Sequence, residues 1–202
     1  MKGLLTLCVL WMGAFSAFAQ ADYVESILKD RATTDSFFRD TSKHLLSQQE
    51  IDVFEGLRYY AIDTSFRIVA IFKKKTKKAF EMPTSTKRKP IYRQYGHVKF
   101  KLNGKKRKLY IYQQMTAKQK GIPANDYLFC PFRDLTNADS SYGGGRYMDF
   151  KLESIQKNTM LIDFNTCYNP YCAYSHRYSC PITPRENTLD VRIEAGVKKW
   201  HD

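Results

Sequence analysis

The sequence predicts a β-rich α+β domain, a compact antiparallel barrel or sandwich with one or two helices at its N-terminal end. Three observations carry that expectation. In "HVKFKLNGKKRKLYIYQ" two alternating apolar runs meet at Asn103-Gly104, and a two-residue hairpin turn needs the positive φ that Asn and Gly tolerate best. Short segments rich in aromatic and β-branched residues recur after Gly56 with turn signals between them. Helical spacing of apolar residues is confined to the chain before Gly56.

The 202 residues open on a segment that reads as a secretory signal over 1–19. Lys2 supplies the positive start, Gly3 to Phe18 is almost wholly apolar, and Ala17-Phe18-Ala19 is a small-x-small cleavage site. The mature chain then starts at Gln20, in the periplasm or outside the cell, as a single β-rich domain over 20–202. An uncleaved anchor is the competing reading, because the apolar run nearly spans a bilayer. Nothing later in the sequence is apolar enough to cross one.

From Asp22 to about Leu46, apolar residues at Tyr23, Ile27, Leu28, Phe37, Phe38, Leu45 and Leu46 fit one or two amphipathic helices. Ser47 and Glu50 have capping-box spacing and predict a short helical turn, ended by Gly56. Strands are expected at Arg67 to Phe72, on both sides of Asn103-Gly104, and at Tyr127 to Phe132, Tyr147 to Leu152, Met160 to Phe164 and Leu189 to Glu194. The hairpin turn fixes a register in which Leu102 faces Lys105, Phe100 faces Arg107, Val98 faces Leu109 and Gly96 faces Ile111. Val98, Phe100, Leu102, Leu109 and Ile111 then point inward, while Lys99 opposes Lys108 and Lys101 opposes Lys106 on the outer face.

The formal charge of +13 is concentrated in one segment: between Lys73 and Lys108 stand fifteen Lys and Arg against Glu81 alone. For an exported protein this argues against nucleic acid and for an anionic envelope surface, such as lipid head groups or acidic glycans. The plainer reading is a charge-guarded hairpin edge that resists aggregation.

Four cysteines follow the signal, Cys130, Cys167, Cys172 and Cys180. A Cys172–Cys180 disulfide closing a small loop is one reading, and a Cys3His zinc set of Cys167, Cys172, His176 and Cys180 is another. A nucleophilic cysteine with His176 as base is the third. The carboxylates Asp134, Asp139, Asp149 and Asp163 share a half of the chain with Arg146 and Asn169. Asp134 and Asp139 flank "LTNA" and read as turn residues, whereas Asp163, inside "MLIDF", would be half-buried with Arg146 as its natural partner. "YGGGRYMDF" has neither the P-loop text nor a dinucleotide fingerprint, so its glycines predict a tight turn that delivers Arg146 onto a strand. No cofactor is implied.

The stretches "FRDLTNADSSYGGGRYMDF", "IDFNTCYNPYCAYSHRYSCPITPRENTLDVRIEAGVKKW" and "FEGLRYYAIDTSFRIVAIF" resemble the bacterial family of domain of unknown function 1684, over roughly Phe54 to Trp200. The resemblance implies no activity. Thr136, Tyr142, Gly143, Gly145, Arg146, Asp163, Phe164, Asn165, Tyr168, Asn169, Pro170, Cys172, Cys180, Pro181, Pro184, Glu186 and Asn187 belong to the matching pattern. Cys130 and Cys167 stand outside it and His176 stands where proline is usual, which weakens the zinc set and leaves Cys172 with Cys180 as the pair.

The leading functional expectation is a non-catalytic binding domain for a small anionic ligand. Its candidate pocket residues are Tyr142, Gly143, Gly145, Arg146, Tyr147, Asp163, Asn165, Tyr168, Asn169, Glu186 and Asn187. Arginine with the amides of a glycine turn suits a carboxylate or phosphate. The alternatives are a hydrolase using Asp163 or Glu186 as base with Arg146 stabilising negative charge, and a structural or envelope-interaction protein.

Overall fold

The computed structural model describes residues 3–116 and 120–201, with side chains of the first helix from Gln20 onward. Helix α1 runs Gly3–Arg39 and a five-residue helix α2 runs Gln48–Asp52. Eight strands follow: β1 Arg67–Lys74, β2 Ala79–Glu81, β3 Ile91–Leu102, β4 Lys105–Gln114, β5 Tyr127–Phe132, β6 Arg146–Lys151, β7 Ile155–Gln156 and β8 Thr159–Asp163. All pair antiparallel in one sheet of order β6-β5-β4-β3-β1-β8-β7, with β2 alongside β3. Just beyond β8, Tyr168 exchanges backbone hydrogen bonds with Tyr147 on the open edge of β6. The sheet thereby curls round on itself, which is the β-rich, compact architecture that the pattern of short strands predicts.

The hairpin follows its turn chemistry. Asn103 and Gly104 have φ of 51° and 73°, and β3 meets β4 in the predicted register from Leu102/Lys105 through Gly96/Ile111. Val98, Phe100, Leu102, Leu109 and Ile111 are all buried. The register slips between Gln94 and Gly96, so Tyr95 is a bulge where the long β3 bends. At α2, Ser47 accepts from the Glu50 amide while the Glu50 carboxylate accepts from Ser47, the reciprocal cap expected from their spacing.

β5 is buried along its whole length because both its faces are covered. Leu128, Cys130 and Phe132 enter the main core with Phe100, Phe164 and Ile162, whereas Tyr127 and Phe129 join Tyr92, Tyr112 and Tyr147 on the opposite face. A third cluster, Phe38, Leu45, Leu46 and Phe54 with Tyr171, Tyr174 and Trp200 packed against it, ties the end of α1 to the body.

Two expectations need correction. Leu189 to Glu194 is not a strand, although Leu189, Val191 and Ile193 are buried in strand-like alternation. Its backbone has no continuous strand neighbour and is satisfied piecemeal, Leu189 N–H by Arg133 and Ile193 N–H by the Asp134 carboxylate. The helical reading to Leu46 also runs too far: α1 ends at Arg39, and a turn at 41–43 leads to His44 at φ 50°. The short strands β2 and β7 carry too few residues for their period to be read.

Candidate functional site

Arg146 is wholly buried and its partner is Asp134, at 2.7 Å, not Asp163. The same guanidinium donates to the carbonyls of Ile193 at 2.7 Å and Ala195 at 2.5 Å. Asp134 in turn accepts from the Thr136 amide and hydroxyl and from Ile193 N–H. Together the pair replaces a missing strand partner for the extended C-terminal segment. The glycine turn serves this placement: Gly145 has φ 94°, and a Cβ there would lie 2.5 Å from the Phe132 carbonyl oxygen. Its amide is spent within the turn on the Tyr142 carbonyl. The Arg146 guanidinium and the Gly145 amide are thus engaged by protein groups.

Other polar residues of the predicted pocket are similarly committed. Asn187, fully buried, accepts from Tyr110 N–H and donates to the carbonyls of Tyr110 and Pro131. Asn165 exchanges hydrogen bonds with the backbone of Asp63. Asp163 accepts from the Tyr23 hydroxyl of α1 and from Asn165, with Arg67 at 3.8 Å. Glu186 accepts from Tyr112, and Tyr147 donates to the Pro181 carbonyl. The predicted residues therefore spread over several backbone junctions.

Three of them, Asn165, Tyr168 and Asn169, do meet at an opening. Between α1 and the end of the curled sheet lies a cavity of about 400 Å³. From α1 it is lined by Ile27, Arg31, Thr34 and Phe38, which share one helical face, and from the body by Tyr59, Tyr168, Asn169, Tyr171 and Tyr174. Arg31 stacks its guanidinium 4.3 Å from the centre of the Tyr59 ring. Its Nε and Nη2 are buried with no hydrogen-bond partner, and burial lowers its affinity for the proton. Asn169 donates to the Lys198 carbonyl and to Tyr174, yet its Oδ1 is also buried without a partner.

Lys120 lines the same cavity, 3.6 Å from the Tyr168 ring centre, and pairs with Asp149. Asp149 also accepts from Tyr127 at 2.6 Å and from Tyr168 at 2.7 Å. Burial, reinforced by this carboxylate, pushes both phenols well above the usual tyrosine range, so they act as fixed donors. The cavity thus offers aromatic walls, a guanidinium with unpaired Nε and Nη2, an ammonium paired with Asp149 and an unpaired amide oxygen, with exposed Asp30 as the carboxylate of its lining. Sequence reasoning missed Arg31. The available signal was a cation four residues after Ile27 and seven before Phe38, on the apolar face of a helix.

The cysteines do not assemble a metal site. Cys130 is inside the main core, Cys167 packs beneath Gly196 with its thiol against the Ala195 carbonyl, and His176 belongs to a separate groove beside α2. Among the described residues, no group of three or more His, Cys, Asp and Glu gathers for an ion, Cys167, Cys172, His176 and Cys180 included. Cys172 and Cys180 stand as free thiols in contact: Cys172 N–H donates to Cys180 Sγ at 3.3 Å. The Cys180 thiol lowers the pKa of Cys172, with further help from Ser85 and Tyr142.

Fold and cavity define a curled antiparallel domain whose N-terminal helix lies across an aromatic, cation-bearing hollow. The chain belongs to the family described as Protein of unknown function (DUF1684), whose model matches residues 52–198. It is also similar to the solution structure of an uncharacterized protein from Haloarcula marismortui, at 31% identity and a TM-score of 0.67, over 89% of this chain and 96% of that one. No curated protein matches the sequence.

Proposed function

We propose that this protein is a non-catalytic binding domain for a small organic anion, a carboxylate or phosphate carried on an apolar or aromatic body, held in the cavity between α1 and the sheet. The observation that carries the reading is Arg31, a cavity-lining residue whose Nε and Nη2 are buried with no protein partner. A desolvated charge without hydrogen bonds is costly, and a bidentate carboxylate or phosphate is the ligand that best offsets the cost. The unpaired Oδ1 of Asn169 adds a demand for a hydrogen-bond donor on the ligand. The volume falls within the roughly 300–1,000 Å³ of ordinary ligand pockets. The hydrolase reading has less support: Asp163 and Glu186 are engaged by Tyr23 and Tyr112 and are not among the cavity residues, and Arg146 is sealed against Asp134.

The test is a thermal-shift and calorimetric panel of aryl and alkyl carboxylates and phosphate monoesters, each beside its neutral alcohol or amide isostere. A charged ligand at a hundred times its Kd should stabilise the protein by about 2.7 kcal/mol, with its neutral isostere far weaker. Equal binding of the neutral isosteres, or no binding across the panel, would overturn the assignment.

The same reading places the protein outside the cytoplasm after cleavage at Ala19/Gln20, where an oxidising environment would join Cys172 to Cys180. Tyr23, past that point on α1, donates to the Asp163 carboxylate. Intact mass of the protein recovered from its host should begin at Gln20 and shift on reduction. A full-length, reductant-insensitive mass would refute both proposals.

A further inference from the structure

A second hollow lies on the outer face of the sheet, sharing no lining residue with the first. Its walls are Lys75, Lys77, His97, Lys99, Lys108 and Tyr110 around an opening of about 250 Å³. The backbone fixes this arrangement. Lys75 and Lys77 donate their amides to the carbonyls of Tyr95 and Gln94 at the β3 bulge, and Gln94 Nε2 returns a bond to the Lys75 carbonyl at 3.1 Å. Across the β3–β4 pair His97 faces Tyr110 and Lys99 faces Lys108.

Three features point to an absent anion. No carboxylate lines the hollow, and Glu81, the one acid of the Lys73–Lys108 segment, pairs with Lys89 at 3.1 Å. Lys99 directly opposite Lys108 is a like-charge pair that destabilises the hairpin unless something negative sits between them. His97 Nδ1 is buried and has no hydrogen-bond partner, the kind of orphaned group that a ligand oxygen would satisfy. Aggregation resistance explains charge on a hairpin, but it does not explain an unpaired, buried imidazole nitrogen among the lysines.

We infer that this hollow is a binding site for a phosphate group, free or carried on a lipid head group, held by Lys75, Lys77, Lys99 and Lys108 with His97 Nδ1 as the central hydrogen-bond donor. Donation requires the imidazole to carry a proton on Nδ1. In the empty site burial disfavours the charged ring first, and Lys99, Lys108, Lys73 and Lys75 repel it further. A bound dianion offsets that repulsion and favours imidazolium. By linkage, binding should then tighten as pH falls through the histidine's range. Inorganic sulfate, which stays dianionic throughout, isolates that effect from the titration of phosphate itself.

The experiment is NMR titration of the four histidine rings of the full chain in chloride, in sulfate and in phosphate. His97 should titrate below the usual histidine value in chloride and move up by at least about one unit with either oxyanion. His44, His176 and His201 should stay in place. Lys99→Ala with Lys108→Ala removes an exposed like-charge pair without touching the core, and should abolish the oxyanion response while leaving the melting temperature unchanged or raised. Vesicles of phosphatidylglycerol in phosphatidylcholine supply the second arm: perturbation of His97 by vesicles identifies a head-group source, and perturbation by the inorganic ions alone identifies a soluble one. An unmoved His97 in all arms, or four histidines moving together, overturns the inference.

Discussion

Arg146→Ala is expected to cost about 3–5 kcal/mol of stability, the usual result of stripping one partner from a buried ion pair. For a domain of this size that corresponds to a fall of roughly 6–20 °C in Tm. The loss would exceed one contact. Asp134 would keep a buried carboxylate with the hydroxyl and amide of Thr136 and the Ile193 amide but no cation, and the carbonyls of Ile193 and Ala195 would lose their donor. Lysine cannot substitute, because a single ammonium does not present the planar fork that reaches a carboxylate and two carbonyls at once. The check is thermal denaturation by circular dichroism of Arg146→Ala, Arg146→Lys and the pair Arg146→Met with Asp134→Leu. The pair should recover part of the loss, since removing both charges leaves no orphaned ion, though the carbonyls stay unpaired. A melting temperature unchanged in Arg146→Ala would mean that the C-terminal segment is held by its apolar residues alone.

The behaviour of Arg146 shows where sequence reasoning succeeds and where it stops. The β3–β4 hairpin was legible because everything that decides it is local: two residues suited to positive φ, and an alternation that permits one register. The choice between Asp134 and Asp163 as partner was not local. Asp134 looks like a turn residue and does cap a turn through one oxygen, but its other oxygen lies inside the molecule, where the tail at Ile193 crosses β6. Asp163 sits in an apolar run, the better sequence argument for burial, yet Tyr23 of α1 reaches it first.

The same ambiguity explains the predicted pocket. A run such as "PRENTLDVRIEAG" is rich in polar groups because an extended segment without continuous strand neighbours needs side chains to complete its hydrogen bonding. Asn187 bonds to the backbones of Tyr110 and Pro131 with the same functional groups it would use on a ligand. Composition cannot separate the two uses, whereas unpaired buried atoms can. Arg146 leaves its Nε unpaired too, but it does not line the cavity that Arg31 lines, so unpaired atoms beside an opening move the site to Arg31 and the surface chemistry to His97.

Arg31→Leu should therefore separate stability from binding, in the opposite sense to Arg146→Ala. Losing the cation over Tyr59 forfeits about 0.5–2 kcal/mol of cation–π attraction. Removing two unsatisfied buried donors returns about 1–3 kcal/mol, so the empty protein should be as stable as the parent or slightly more so. Leucine also keeps an apolar side chain on the face shared with Ile27 and Phe38, so α1 should stay docked. Ligand affinity should fall by the worth of a charged hydrogen-bonding partner, about 1.5–3 kcal/mol, or roughly 10- to 150-fold in Kd. Arg31→Lys should fall between, retaining charge without the bidentate fork. Melting curves of the empty proteins and calorimetry with the best anion of the panel read both effects on the same samples. A lowered melting temperature with unchanged affinity would make Arg31 a strut between helix and sheet, and would return the search to the other cation of the cavity, Lys120.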